Sequence, residues 1–74
     1  MKYSNEIVGM VAESLSLDPI NPGKSFQDNG IDSLDVFTIF LAVEERYGIK
    51  LSEDEVSLVK SVDDLSLLLE NKKF

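Results

Sequence analysis

The segment GIDSLDVFTIFLAVEERYG, residues 30–48, decides the fold class. Val36, Ile39 or Phe40, Val43 and Tyr47 recur at the spacing of one face of an α-helix, enough to line a core. The spacing predicts a helix over residues 33–47, ended by Gly48, a residue type that readily turns left-handed just past a helix. At the other end Asp32 fits the N-cap position, with its carboxylate on the backbone amides near Asp35. Ser33 then falls in the first turn, hydroxyl outward, at the positive end of the helix dipole. A phosphate ester there would be stabilised by the same partial charge.

Leu34, Phe37 and Leu41 make a second apolar stripe on this helix, rotated away from the first. Two readings are open. Either the helix is central and buried nearly all round, or the second stripe is partly exposed and docks partners within an acidic rim. The exposed reading is the expectation, with Ser33 at the head of the stripe.

Working outward, Ile7, Val8, Val11 and Leu15 predict an amphipathic helix over residues 3–15. Residues 17–30 contain Pro19, Pro22, Gly23 and Gly30 among polar residues and read as a long loop, with Ile20 and Phe26 as apolar anchors. Ser52 and Glu55 fit a capping box opening a short helix, Glu53 to Val59. Ser61 and Asp64 give a looser start signal for a last helix, with Val62, Leu65, Leu68 and Leu69 facing inward. Lys72 and Lys73 suit the negative end of that helix. The predicted fold is all-α, a small four-helix bundle with a short third helix and a long loop between helices one and two, forming one domain over residues 1–74.

The 74-residue chain has no cysteine and no histidine. Thiol chemistry would have to come from a prosthetic group, and the common neutral-pH general base is missing. An enzyme with its own active site is therefore not expected. Fourteen acidic residues against seven basic ones, a net charge of -7, argue against nucleic acid and favour a partner with a basic patch. No stretch reaches transmembrane length, so membrane insertion is not expected. The first ten residues, MKYSNEIVGM, do not read as a signal peptide, and a cytoplasmic location is expected.

The acids of QDNGIDSLD do not form a calcium loop. With Gly30 at the loop's sixth position, Val36 stands where a bidentate acid is required, so no metal site is expected. Asp32 and Asp35, three apart at one helix start, make a poor acid–base pair for glycoside hydrolysis.

GIDSLD resembles the phosphopantetheine-attachment motif of acyl carrier proteins, commonly written G-x-D-S-L-[DE]. VEERYGIKLSEDE, residues 43–55, is similar to the family's helix-two end and helix-three entry, and the order of helices matches over nearly the whole chain. The resemblance implies that Ser33 carries 4′-phosphopantetheine, attached from coenzyme A by a phosphopantetheinyl transferase. The arm's thiol would carry acyl groups as thioesters to acyl-loading, acyl-transfer or condensing enzymes with basic docking patches. By position, Asp32, Leu34, Asp35, Phe37, Leu41, Glu44 and Glu45 are the partner-docking candidates. Ile39, Phe40, Val43, Leu51 and Val59 are the candidate lining of an acyl pocket. A freestanding, monomeric carrier in fatty-acid, polyketide or related lipid synthesis is the expected function. The alternatives are a carrier loaded with an amino acid by an adenylating enzyme, and an unmodified acidic helical interaction module. The sequence departs from the family pattern at Asn29, where a leucine is usual, at Thr38, where fatty-acid carriers often have an acid, and at the bulkier Phe37 and Phe40. These departures suit a specialised carrier with a dedicated pathway.

Overall fold

The computed structural model describes residues 2–16 and 20–72. Four helices follow one another: α1 (Ser4–Leu15), α2 (Ser33–Tyr47), α3 (Glu53–Leu58) and α4 (Val62–Lys72). Among the described residues the only β pairing is an isolated antiparallel bridge between Ser25 and Ser61. The all-α architecture matches the sequence reading, and the boundaries of α2 match to the residue. Leu17, Asp18 and Pro19 of the predicted loop, and Lys73 of the basic tail, lie outside the described residues.

Helix α1 packs against both α2 and α4. Ile7 and Val11 of α1, Ile39 and Val43 of α2, and Val62, Leu65 and Leu69 of α4 form the centre of the core. Burying each such aliphatic side chain contributes about 1.5–3 kcal/mol, and this drives the bundle together. Polar contacts fix the register of α1 on α4. The buried Ser66 hydroxyl accepts the Tyr3 N–H at 2.7 Å, and Ser4 donates to the Asp63 carboxylate. Across the α1–α2 seam the Tyr3 and Tyr47 rings meet edge to face at 5.4 Å, and the Tyr47 hydroxyl donates to Glu6. Burial first, and then the bond to the Glu6 carboxylate, push the Tyr47 phenol well above its ordinary pKa.

The short α3 buries no residue fully and relies on its ends. Ser52 accepts the Glu55 N–H at 3.2 Å and Glu55 accepts the Ser52 N–H at 2.9 Å, completing the capping box. Lys72 at the end of α4 pairs with Glu55 at 3.1 Å. These bonds hold the Glu55 carboxyl below the usual range, the Ser52 amide first and Lys72 second. Helix α3 stops one residue sooner than expected because Val59 turns extended and points into the core. Ser61 opens α4 as expected, its hydroxyl accepting the Asp64 N–H at 3.1 Å. Leu68 is only half-buried, whereas Val62, Leu65 and Leu69 face fully inward.

Candidate functional site: the head of α2 and its cleft

The loop before α2 aims Ser33. Phe26 and Ile31 are buried and anchor it at both ends of the last turn. Between them Asn29 holds the loop in shape. Its side-chain amide donates to the carbonyls of Asn21, Ser25 and, more weakly, Lys24, and its Oδ1 accepts the Asn21 N–H at 2.8 Å. A leucine could make none of these bonds, so the departure from the family pattern at this position has a structural reason. Gly30 follows with φ 78°, a left-handed conformation that a side chain would strain. The chain then reverses into Asp32, whose extended backbone starts the helix.

Asp32 caps α2 by accepting the Asp35 N–H at 2.9 Å, as the sequence indicated. Ser33 is exposed in the first turn, and its hydroxyl makes no hydrogen bond among the described residues. The hydroxyls of Ser25, Ser52, Ser57, Ser61 and Ser66 all have hydrogen-bond partners. Ser33 therefore offers a free nucleophilic oxygen at the positive end of a 15-residue helix.

Beside it lies a cleft of about 730 Å³ between the first half of α2, the loop and residues 56–60. Phe26, Ile31, Val36, Phe37, Phe40, Val56 and Val59 give it an apolar lining, with Asp32, Ser33 and Lys60 also on its walls. The Phe26 and Phe40 rings meet edge to face at 6.2 Å. Of the residues expected to line an acyl pocket, Phe40 and Val59 are here, while Ile39, Val43 and Leu51 are not. Ile39 and Val43 sit on the side of α2 that faces α1, beside Ile7 and Val11, where the remaining void leaves no space a water could enter. One residue along a helix turns the side chain by about 100°, which separates Ile39 from its neighbour Phe40. Leu51 lies in the α2–α3 connection, its N–H held by Glu44. The sequence reading missed Val56, on α3, and Lys60, in the turn after it, as lining residues.

The second stripe of α2 is exposed: Leu34 is 78%, Phe37 61% and Leu41 51% accessible. The alternative of a helix buried all round does not hold, since only Ile39, Phe40 and Val43 are fully buried. Asp35 is half-buried beside this stripe, and Glu45 is exposed further along the helix. Glu44 is turned inward to the α2–α3 connection, where its carboxylate accepts the Leu51 N–H at 2.7 Å. Thr38, at the position where an acid is common, bonds back to the Leu34 carbonyl at 3.2 Å.

A model of the phosphopantetheine attachment site matches residues 5–69. The acyl carrier protein of Thermosynechococcus vestitus is 34% identical over 70 residues, covering 90% of this chain and 86% of its own. That of Campylobacter hominis is 34% identical over 74 residues, covering 96% and 94%. Among solved structures, BlmI, a type-II acyl carrier protein from Streptomyces verticillus involved in bleomycin biosynthesis, has the same fold. It superposes with a TM-score of 0.80 at 22% identity, over 96% of this chain and 86% of its own. The chain belongs to the phosphopantetheine-attachment family and, within it, to the acyl carrier proteins.

The group this family carries is 4′-phosphopantetheine. The residues present fit it: an exposed, unbonded hydroxyl at a helix N-terminus, next to an apolar cleft. Among the described residues no cluster of acids could hold a metal ion, and no helix is long and apolar enough to cross a membrane.

Proposed function

We propose that Ser33 carries the phosphopantetheine arm and that the protein shuttles acyl groups between enzymes of fatty-acid, polyketide or related lipid synthesis. The observation that carries this reading is the free, exposed Ser33 hydroxyl between the capping Asp32 and Asp35. The arm's terminal thiol supplies the chemistry, holding the cargo as a thioester. The chain's own residues position and recognise. Asp32 and the first turn of α2 orient the Ser33 oxygen and favour an anionic substituent on it. A phosphopantetheinyl transferase makes the attachment, and the chain itself catalyses nothing.

Docking falls to Leu34, Phe37 and Leu41, with Asp32, Asp35 and Glu45 as the acidic rim. An exposed apolar stripe with carboxylates around it suits enzymes that present a basic patch. Glu44 serves the helix connection first and contributes to docking through its charge. The cleft beside Ser33, with Phe40 and Val59 on its walls, shelters the cargo or the arm. We place the protein in the cytoplasm as a monomer, with residues 1–74 forming a single carrier domain.

The protein isolated from its native cell tests this reading by intact mass. The expected species carries one phosphopantetheine plus an acyl group that neutral hydroxylamine removes as a thioester. An aminoacyl group in its place would transfer the protein to amino-acid carriage. A chain with no arm would contradict the carrier reading.

A further inference from the structure

Among the described residues, Lys60 is the one basic residue on the walls of the Ser33 cleft. Its ammonium has no ion-pair partner among the described residues, where the pairs formed are Arg46 with Glu6 and Lys72 with Glu55. Its backbone, by contrast, is firmly placed. The Lys60 carbonyl accepts the Phe26 N–H at 2.8 Å, and its own N–H donates to the Asp64 carboxylate at 3.0 Å. These bonds set the residue beside the loop that leads into α2, while the side chain stays exposed.

Two negative charges accompany Ser33: Asp32 lines the cleft and Asp35 lies within the same turn of α2. The protein as a whole carries a net charge of -7. A phosphodiester on Ser33 adds another negative charge to this group. The helix N-terminus offers it a partial charge of about +0.5, and Lys60 offers a whole one on the same cleft.

We infer that Lys60 is the counter-charge for the phosphodiester carried at Ser33, holding the arm folded over the cleft between α2 and the segment after α3. The inference rests on Ser33 being the attachment residue. Drawn toward Lys60, the arm lays its apolar dimethyl portion against Phe37, Val56 and Val59 instead of extending into solvent. An exposed pair of this kind is weak and screened by salt. A basic partner docking on the acidic rim competes with Lys60 for the phosphodiester, so binding of the enzyme itself releases the arm.

The test uses protein loaded with an unlabelled arm and carrying ¹³C-labelled valine methyl groups. Nuclear Overhauser effects from the pantetheine methyls to Val56 and Val59 are expected in the wild type and in Lys60→Arg. In Lys60→Gln they weaken about two- to fivefold, as loss of an exposed ion pair implies. In the wild type they weaken similarly at about 1 M salt, where the Debye length is ~3 Å. Equal effects in the wild type and Lys60→Gln, or none in the wild type, overturn the inference. Intact mass is read first on every sample. A chain that takes no arm, or keeps its arm in Ser33→Ala, overturns the attachment reading together with the inference, and mass alone tells that failure from the failure of Lys60.

Discussion

The Asp32 carboxylate accepts the Asp35 N–H at 2.9 Å, and Ser33 lies between the two partners of that bond. The cap that starts α2 therefore also fixes the backbone from which the Ser33 hydroxyl projects. Asp32→Ala is expected to cost about 1 kcal/mol in chemical denaturation, and Asp32→Asn, which keeps a capping oxygen, much less. Modification at Ser33 should slow in the alanine variant at a temperature where it is still folded.

Asn29 is expected to resist replacement by the leucine common in the family. Asn29→Leu removes the four side-chain bonds that tie Asn29 to Asn21, Lys24 and Ser25 and should cost about 1–2 kcal/mol. Amide exchange at Asn21, whose N–H loses its acceptor, should quicken more than exchange at the centre of α2.

The two phenylalanines of α2 should behave in opposite ways. Phe37→Glu or Leu34→Glu alters an exposed side chain, so stability should change by about 0.5 kcal/mol or less and the helical circular dichroism should persist. Acyl transfer to partner enzymes should fall. Phe40→Ala empties a buried site against Phe26 and should cost about 3–5 kcal/mol.

Stability should decline at both ends of the pH scale for identifiable reasons. The Glu55 carboxyl is held below its ordinary value in the fold, so its contribution is complete above the usual glutamate range and is lost as pH falls through the lowered value. Tyr47 is held above its ordinary value, so its contribution is complete below about pH 10 and is lost as pH rises beyond that. Melting temperatures across pH should show a shallower acid decline in Glu55→Gln and a shallower alkaline decline in Tyr47→Phe.

Local rules made α2 readable in full. Its cap, its core stripe and its terminal glycine are all written within residues 32–48, and the cap and the glycine find their partners within that stretch. Ser33 was legible for the same reason. The lining of the cleft was not, because it depends on how far α3 runs and where Val59 turns inward. Periodicity joined Ile39 and Phe40 as alternatives on one face, but the position of α1 sends them to different sides. Glu44 is a docking candidate by its position in the family resemblance, yet its acceptor oxygen serves Leu51, seven residues on. Asn29 stood out only as a departure, since its partners are spread over the loop and meet only in three dimensions.

The most direct test of the account is to incubate the protein with coenzyme A and a broad-specificity phosphopantetheinyl transferase and locate the adduct by tandem mass spectrometry. One phosphopantetheine is expected, on Ser33, and no adduct in Ser33→Ala. An adduct on a different hydroxyl, or no adduct with several transferases, would contradict it.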